Sequence, residues 1–236
     1  MTAFLGKILG SLMKFVYDMV STIGVEPENF SYYAMAIIIT TIIFKLLLLP
    51  ISLHQAKSSK KMAEIQPLLK QIQTKYKNDP QTMQIKMQDL YKQHNYNPAS
   101  GCLILLVQLP IIFAFFAVFR EPARYAFTEP GFYESMNKTF FWIKNLDQAD
   151  PYLWGLPLLA AITTYLQSIT MPNMNNVDPQ SAATQKTMNY FMPIMIFMAA
   201  RGFAAGLGLY WVIGNIFTII QQLISKRSLA KLKEDK

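Results

Sequence analysis

Residues 33–53 read YAMAIIITTIIFKLLLLPISL, an apolar run interrupted by one charge, Lys45, and closed by Pro50 near its end. Its length suits the ~20 residues an α-helix needs to cross a hydrocarbon core ~30 Å thick. Further apolar runs cover about 100–119, 152–171, 187–200 and 203–225. Five transmembrane helices are therefore predicted, and the fold class is an all-α membrane protein. The run at 187–200 is short, so the bilayer must thin around it or its flanks must snorkel. The runs are too long, and too poor in period-2 alternation, for a membrane barrel. Composition agrees: 52% of residues are hydrophobic and 15% charged, whereas soluble domains carry about 25% charged residues.

Charge between the runs sets an orientation. Residues 54–98 hold eight lysines against Glu64, Asp79 and Asp89, and the basic tail 226–236 holds five cations against Glu234 and Asp235. The positive-inside rule puts both in the cytoplasm, as an odd number of spans requires. The segment 120–150 has a small acidic excess and is expected outside, where Trp142, Trp154, Tyr152 and Tyr133 read as an interfacial belt. The net charge of +8 is explained by this topology without DNA binding.

Before the first span, the stretch Ala3 to Gly24 within 1–26 carries a polar stripe of Lys7, Ser11, Lys14, Asp18 and Ser21, spaced four, three, four and three. Such a stripe predicts an amphipathic helix lying in the interface. An uncleaved span and a signal peptide are the alternatives, the latter opposed by Lys14 and Asp18 in what should be an unbroken apolar stretch. Within 54–97, Met62, Ile65, Leu69, Ile72 and Tyr76 recur at three and four, as do Met83, Met87, Leu90 and His94 after the turn Asn78-Asp79-Pro80. These predict a cytoplasmic helical hairpin, with Pro67 kinking or restarting its first arm.

Lys45 lies ~18 Å from one end of its span and ~12 Å from the other. An ammonium at that depth costs about 2.5–3.5 kcal/mol on insertion scales. A watery cavity or polar partner is expected; snorkelling to the headgroups is the alternative, strained by the distance. Thr40, Thr41, Gln108, Thr164, Gln167 and Asn215 also fall at depth and together suggest a polar groove, although singly such residues make ordinary interhelical hydrogen bonds. Gly206 and Gly208 suggest close helix packing, and the abundant methionines suit an adaptable apolar surface as well as ordinary core filling.

No hydrolase, phosphate-loop or zinc motif occurs, the single Cys102 rules out an intrachain disulfide, and the predicted spans contain no carboxylate. An enzyme, a metal site, a cofactor and a carboxylate-driven pump are not expected.

Several strings taken together have a family likeness: Ile43 to Pro50, Ile65-Gln66-Pro67, Asn97 to Cys102 continuing to Gln108-Leu109-Pro110-Ile111, Asp150-Pro151-Tyr152 with Leu156-Pro157, Phe191-Met192-Pro193-Ile194, and Leu209 to Asn215. In order and spacing, over nearly the whole chain, they resemble the YidC-type membrane protein insertase family. The resemblance implies a groove open to cytoplasm and lipid but closed to the outside, a hairpin that receives substrates, and no cofactor. It puts Lys45 at the groove's basic position, usually arginine in the family, and Gln167 and Trp211 where the family lines its groove or meets substrate. The large external domain of Gram-negative members and a lipidation cysteine near Met1 are both missing.

The expected function is to help other proteins insert and fold in a bacterial plasma (inner) membrane, with newly made membrane proteins and lipids as partners. The ribosome and the Sec translocon are further candidate partners. A small-solute or anion channel using Lys45, and an assembly factor acting through the basic hairpin and tail, are the alternatives.

Overall fold

The structure is a computed structural model that describes residues 2–97, 103–170 and 179–234, with side chains described at 3–97, 109–170 and 189–225. Its elements are α1 (Thr2–Ser21), α2 (Tyr32–Leu47), α3 (Leu49–Lys75), α4 (Pro80–Gln93), α5 (Leu103–Arg120), α6 (Pro122–Tyr125), α7 (Phe132–Ser135), α8 (Leu156–Thr170), α9 (Pro179–Ala200) and α10 (Ala205–Glu234). Among the described residues there are no strands beyond isolated bridges from Phe140 to Phe30 and Ile143.

The helices differ in places from the predicted spans. Only Ala205–Ser225 of α10, among the described residues, is both long and apolar enough to cross a bilayer alone. Leu156–Thr170 is a shorter apolar helix, and the parts of α5 and α9 with described side chains, Leu109–Arg120 and Asn189–Ala200, are apolar. The first predicted span ends early, at Leu47, where the chain turns by 57° into α3. Pro50 is the physical reason: without an N–H it cannot bond to the Leu46 carbonyl four residues back, and the α2 ladder closes with the Leu48 amide on the Phe44 carbonyl. Pro67, by contrast, does not restart the first arm, because α3 runs through it to Lys75. α10 continues as one helix into the basic tail, to Glu234.

α10 packs against α2 on one side and α8 on another, while α9 lies along α8 and α5 meets α1. Where lipid surrounds a bundle, water provides no drive for helices to associate, and close contact must supply the cohesion. Here the Phe115 and Tyr210 rings stack with centroids 3.8 Å apart, and Phe44 meets Phe115 edge-on. At Gly206 a β-carbon would stand 3.3 Å from Ile37 and Phe119, and at Gly208 it would stand 3.4 Å from Leu156, which is the close packing expected of that pair.

One segment, residues 137–155, fastens the starts of three helices at one end of the bundle. The Thr139 carbonyl accepts the Ser31 amide, just ahead of α2, and the Gln148 and Leu146 carbonyls accept the first amides of α10, from Ala205 and Gly206. The Asp150 carboxylate accepts Leu156 N at the start of α8, Tyr152 N, and the Trp142 indole N–H. Helix starts leave unpaired N–H groups that a buried location must satisfy; this segment does so for α8 and α10, and for α2 it holds the N-cap Ser31, whose hydroxyl accepts the Ala34 amide while Glu26 accepts that of Tyr32. Trp154 stacks on Tyr152 and lies near Trp142, and both Tyr152 and Trp154 are exposed. Tyr133 departs from the expected belt, being buried with its hydroxyl bonded to the Asp147 carboxylate. Burial, helped by Tyr33 and Asp147 beside it, pushes the Tyr133 phenol well above its usual range.

α1 lies across this same end. It buries Leu9, Met13, Val16 and Val20, at helical spacing, and exposes Phe4, Ile8, Phe15 and Met19 on another face. Along its length it meets Tyr125 at Gly6 and Gly10, Glu129 through Lys14, and Phe127, Phe132 and Tyr32 through Tyr17. Gly10 sits directly on the Tyr125 backbone carbonyl, leaving no room for a side chain. Gly10→Ala is expected to lift α1 from α6 at a cost of about 2 kcal/mol, as overpacking usually does. Limited proteolysis at 22–30 should accelerate several-fold relative to the unaltered chain, and an unchanged digestion rate would refute the contact's importance.

α3 and α4 form a helical pair with its own small core of Met62, Ile65, Leu69, Leu90 and Tyr96, backed by Ile72, Met87 and Tyr91. Most of the predicted seam is used, but His94 is exposed and Tyr96 takes the closing position. Asp79 caps α4 by accepting the Thr82 amide, and the bonds from Thr82 hold its carboxyl below the usual carboxylate range.

Candidate functional site

The face of α10 turned toward α2 and α8 carries Trp211, Gly214, Asn215, Thr218, Gln221 and Gln222. Their spacing of i, i+3, i+4, i+7, i+10 and i+11 makes one continuous stripe on a helix. Each member meets a polar or small group across the interface, giving a seam in three levels.

At the first level, the Trp211 indole N–H donates to Thr164 Oγ1 at 3.1 Å. The Asn215 amide donates to Thr163 Oγ1 and Thr164 Oγ1 at 3.1 and 2.9 Å. The Thr163 hydroxyl turns back to the α8 carbonyls of Leu159 and Ala160. Asn215, Thr163 and Thr164 are all buried, so these bonds satisfy groups that would otherwise be costly at depth. At the second level, Lys45 Nζ donates to Thr218 Oγ1 at 3.3 Å, and the Thr218 hydroxyl donates to the Gly214 carbonyl at 2.8 Å. At the third, Gln221 Nε2 donates to Ser52 Oγ at 2.7 Å, and the Thr170 hydroxyl donates to the Gln222 side-chain carbonyl. Burial falls along the seam: Asn215, Thr163 and Thr164 are buried, whereas Trp211 at the edge of that level and Lys45, Thr218, Gln221 and Gln222 are partly exposed.

Five residues expected in a groove thus converge on α10. Lys45, Thr164, Trp211 and Asn215 take part in the seam directly. Thr41 is fully buried beside it, with its methyl 4.0 Å from a β-carbon built on Gly214, but its hydroxyl is spent on the Ile37 carbonyl. Gln167 lies on α8 one turn beyond Thr163 and Thr164, partly buried, and its backbone carbonyl shares the Thr170 hydroxyl with the Gln222 side chain. The side chain of Gln108 lies outside the described residues. Thr40 is buried with its hydroxyl unpaired among the described residues. Sequence reasoning missed Thr163, Gly214, Thr218, Gln221, Gln222 and Ser52. The helical periodicity of small and polar residues along 211–222 was the signal for those on α10.

The family model for the 60Kd inner membrane protein matches residues 26–233. The chain belongs to this family. Membrane protein insertase YidC 2 of Bacillus anthracis is 39% identical over 218 residues, covering 90% of this chain and 79% of the relative. Membrane protein insertase YidC of Clostridium acetobutylicum is 40% identical over 236 residues, covering 98% of this chain and 85% of the relative. The protein of the same name from Caldanaerobacter subterraneus subsp. tengcongensis is 34% identical, with 98% of each chain covered. Membership in the 60Kd inner membrane protein family makes this a protein of the bacterial inner membrane. The seam described above lies wholly within the matched region.

Proposed function

We propose that the chain is a membrane protein insertase that assists other proteins into the bilayer through a polar groove formed by α2, α8 and α10. The observation that carries this reading is the α10 seam itself: a stripe of hydrogen-bonding residues with a lysine ammonium, inside an otherwise apolar bundle. A continuous polar surface at depth lowers the several-kcal/mol barrier that a polar segment meets in hydrocarbon. The insertase relatives, similar over nearly the full chain, support the same activity.

In this reading α2, α5, α8, α9 and α10 are the five spans. Ile42 and Leu46 on α2, Phe113 on α5, Ile162 and Leu166 on α8, and Ile220 on α10 are exposed apolar residues that would face lipid. The exposed Tyr190, Phe191, Ile194, Met195 and Met198 of α9, beside α8, would offer an adaptable surface to an arriving helix. α1 lies in the outer interface with Phe4, Ile8, Phe15 and Met19 toward the acyl chains. The α3–α4 hairpin and the end of α10 are cytoplasmic, and their lysines are surfaces for a ribosome or a Sec translocon. The seam closes toward the segment 137–155 and opens toward the hairpin. A substrate's short external segment would be drawn transiently to Lys45 while its apolar helix enters lipid beside α8 and α10. No chemical step or cofactor is involved.

Reconstitution tests this directly. Liposomes containing the purified chain are expected to insert a small single-span protein at least about tenfold more efficiently than empty liposomes, while remaining tight to entrapped small anions. Anion flux abolished by Lys45→Ala, without insertion, would replace this reading by a channel.

A further inference from the structure

Gly214 occupies the middle of α10, where glycine is the weakest helix former after proline. Its backbone is not in the left-handed region, so conformational freedom does not explain it. Space does. A β-carbon there would stand 3.2 Å from Lys45 Cε and 3.7 Å from Nζ, while its next neighbour, the Thr41 methyl, is at an ordinary 4.0 Å. Lys45 is therefore the tight neighbour of this glycine. The Gly214 carbonyl also accepts the Thr218 hydroxyl, which turns the Thr218 lone pairs toward the ammonium.

We propose that Gly214 and Thr218 form a seat that fixes where the Lys45 ammonium stands. The bare backbone at Gly214 lets the aliphatic stem lie against α10, and Thr218 receives the charge one turn beyond. Gly214 is a positioning residue, acting through Lys45. The seat also keeps the ammonium apart from the Asn215 level, where Thr163 and Thr164 already accept Asn215 and Trp211. An ammonium has three N–H donors, and Thr218 takes one. Among the described residues two remain to meet a carboxylate at a defined place. This last step rests on the reading of Lys45 as a charge that attracts substrate.

The test uses the full chain in nanodiscs and a water-soluble amine-acylating reagent, with modification of Lys45 and Lys57 followed by peptide mass spectrometry. Gly214→Ala and Thr218→Val are expected to raise the acylation rate of Lys45 about threefold and leave Lys57 unchanged, whereas Thr218→Ser should match the unaltered chain. Alanine is the better helix former, so Gly214→Ala does not weaken α10 itself. In proteoliposomes, Gly214→Ala should also lower insertion of a substrate with an acidic external segment about fivefold relative to a neutral one. An unchanged Lys45 rate in both variants overturns the seat, as does an equal rise at Lys57, which would mark general loosening. If Lys45→Ala leaves the acidic-to-neutral ratio unaltered, the substrate-attraction reading fails, while the acylation rates still decide the seat.

Discussion

Lys45→Ala is expected to reduce insertion of substrates with acidic external segments about tenfold, while neutral-segment substrates lose no more than about threefold. Two unit charges about 10 Å apart, at an effective dielectric of about 20, attract by roughly 1.7 kcal/mol, which is slightly more than one decade in rate if the contact forms at the barrier. Lys45→Arg keeps the charge and should stay within about threefold of the unaltered chain, although a planar guanidinium fits the space over Gly214 differently from an ammonium. Lys45→Gln separates charge from polarity. It should behave like alanine toward acidic segments, because an amide hydrogen-bonds to Thr218 but attracts no carboxylate at a distance. The measurement is protease protection of matched substrates in proteoliposomes. Equal insertion of acidic segments by Lys45→Ala and the unaltered chain would sink the charge mechanism and leave only the polar seam.

The helices were legible in the sequence because hydropathy reports length and period directly. The all-helical class follows from the apolar runs, and Lys45 stood out because a charge at depth has so few cheap explanations. What the sequence hid were contacts between distant segments. Nothing near Pro50 in the pattern distinguishes a proline that ends a span from one tolerated inside a helix, as at Pro67; the structure bends at the first and runs through the second. Tyr133 reads as a belt aromatic from composition alone, yet Asp147 and Tyr33 bring it inside. Gly214 looks like any packing glycine until Lys45, 169 positions away, is placed over it. The Asn215 and Lys45 positions were found individually by polarity at depth, and Trp211 only through the family resemblance. Their common address on α10 depends on a period that a scan for single polar residues does not read.

The second large effect is expected at Asp150, where the outcome should differ in kind from that at Lys45. This carboxylate is buried and accepts the Trp142 indole N–H and the amides of Tyr152 and Leu156. Hydrogen bonds to a charged group contribute about 1.5–3 kcal/mol each, and orphaned buried donors add their own penalty. Asp150→Ala should therefore destabilise the fold by about 3–4 kcal/mol, lowering the unfolding midpoint in detergent by roughly 10 °C. Asp150→Asn, which retains one carbonyl oxygen as acceptor, should lose about half as much. The neighbouring Gly155 supplies an internal check, since a β-carbon there would overlap the Asp150 carboxylate. Gly155→Ala should be costly alone but nearly free in the Asp150→Ala background, a non-additivity that independent defects would not produce. Because Leu156 begins α8 and the seam threonines follow two turns later, loosening this start should impair acidic and neutral substrates alike. A selective loss of acidic substrates, or an unchanged midpoint, would show that Asp150 does not fasten this end of the bundle.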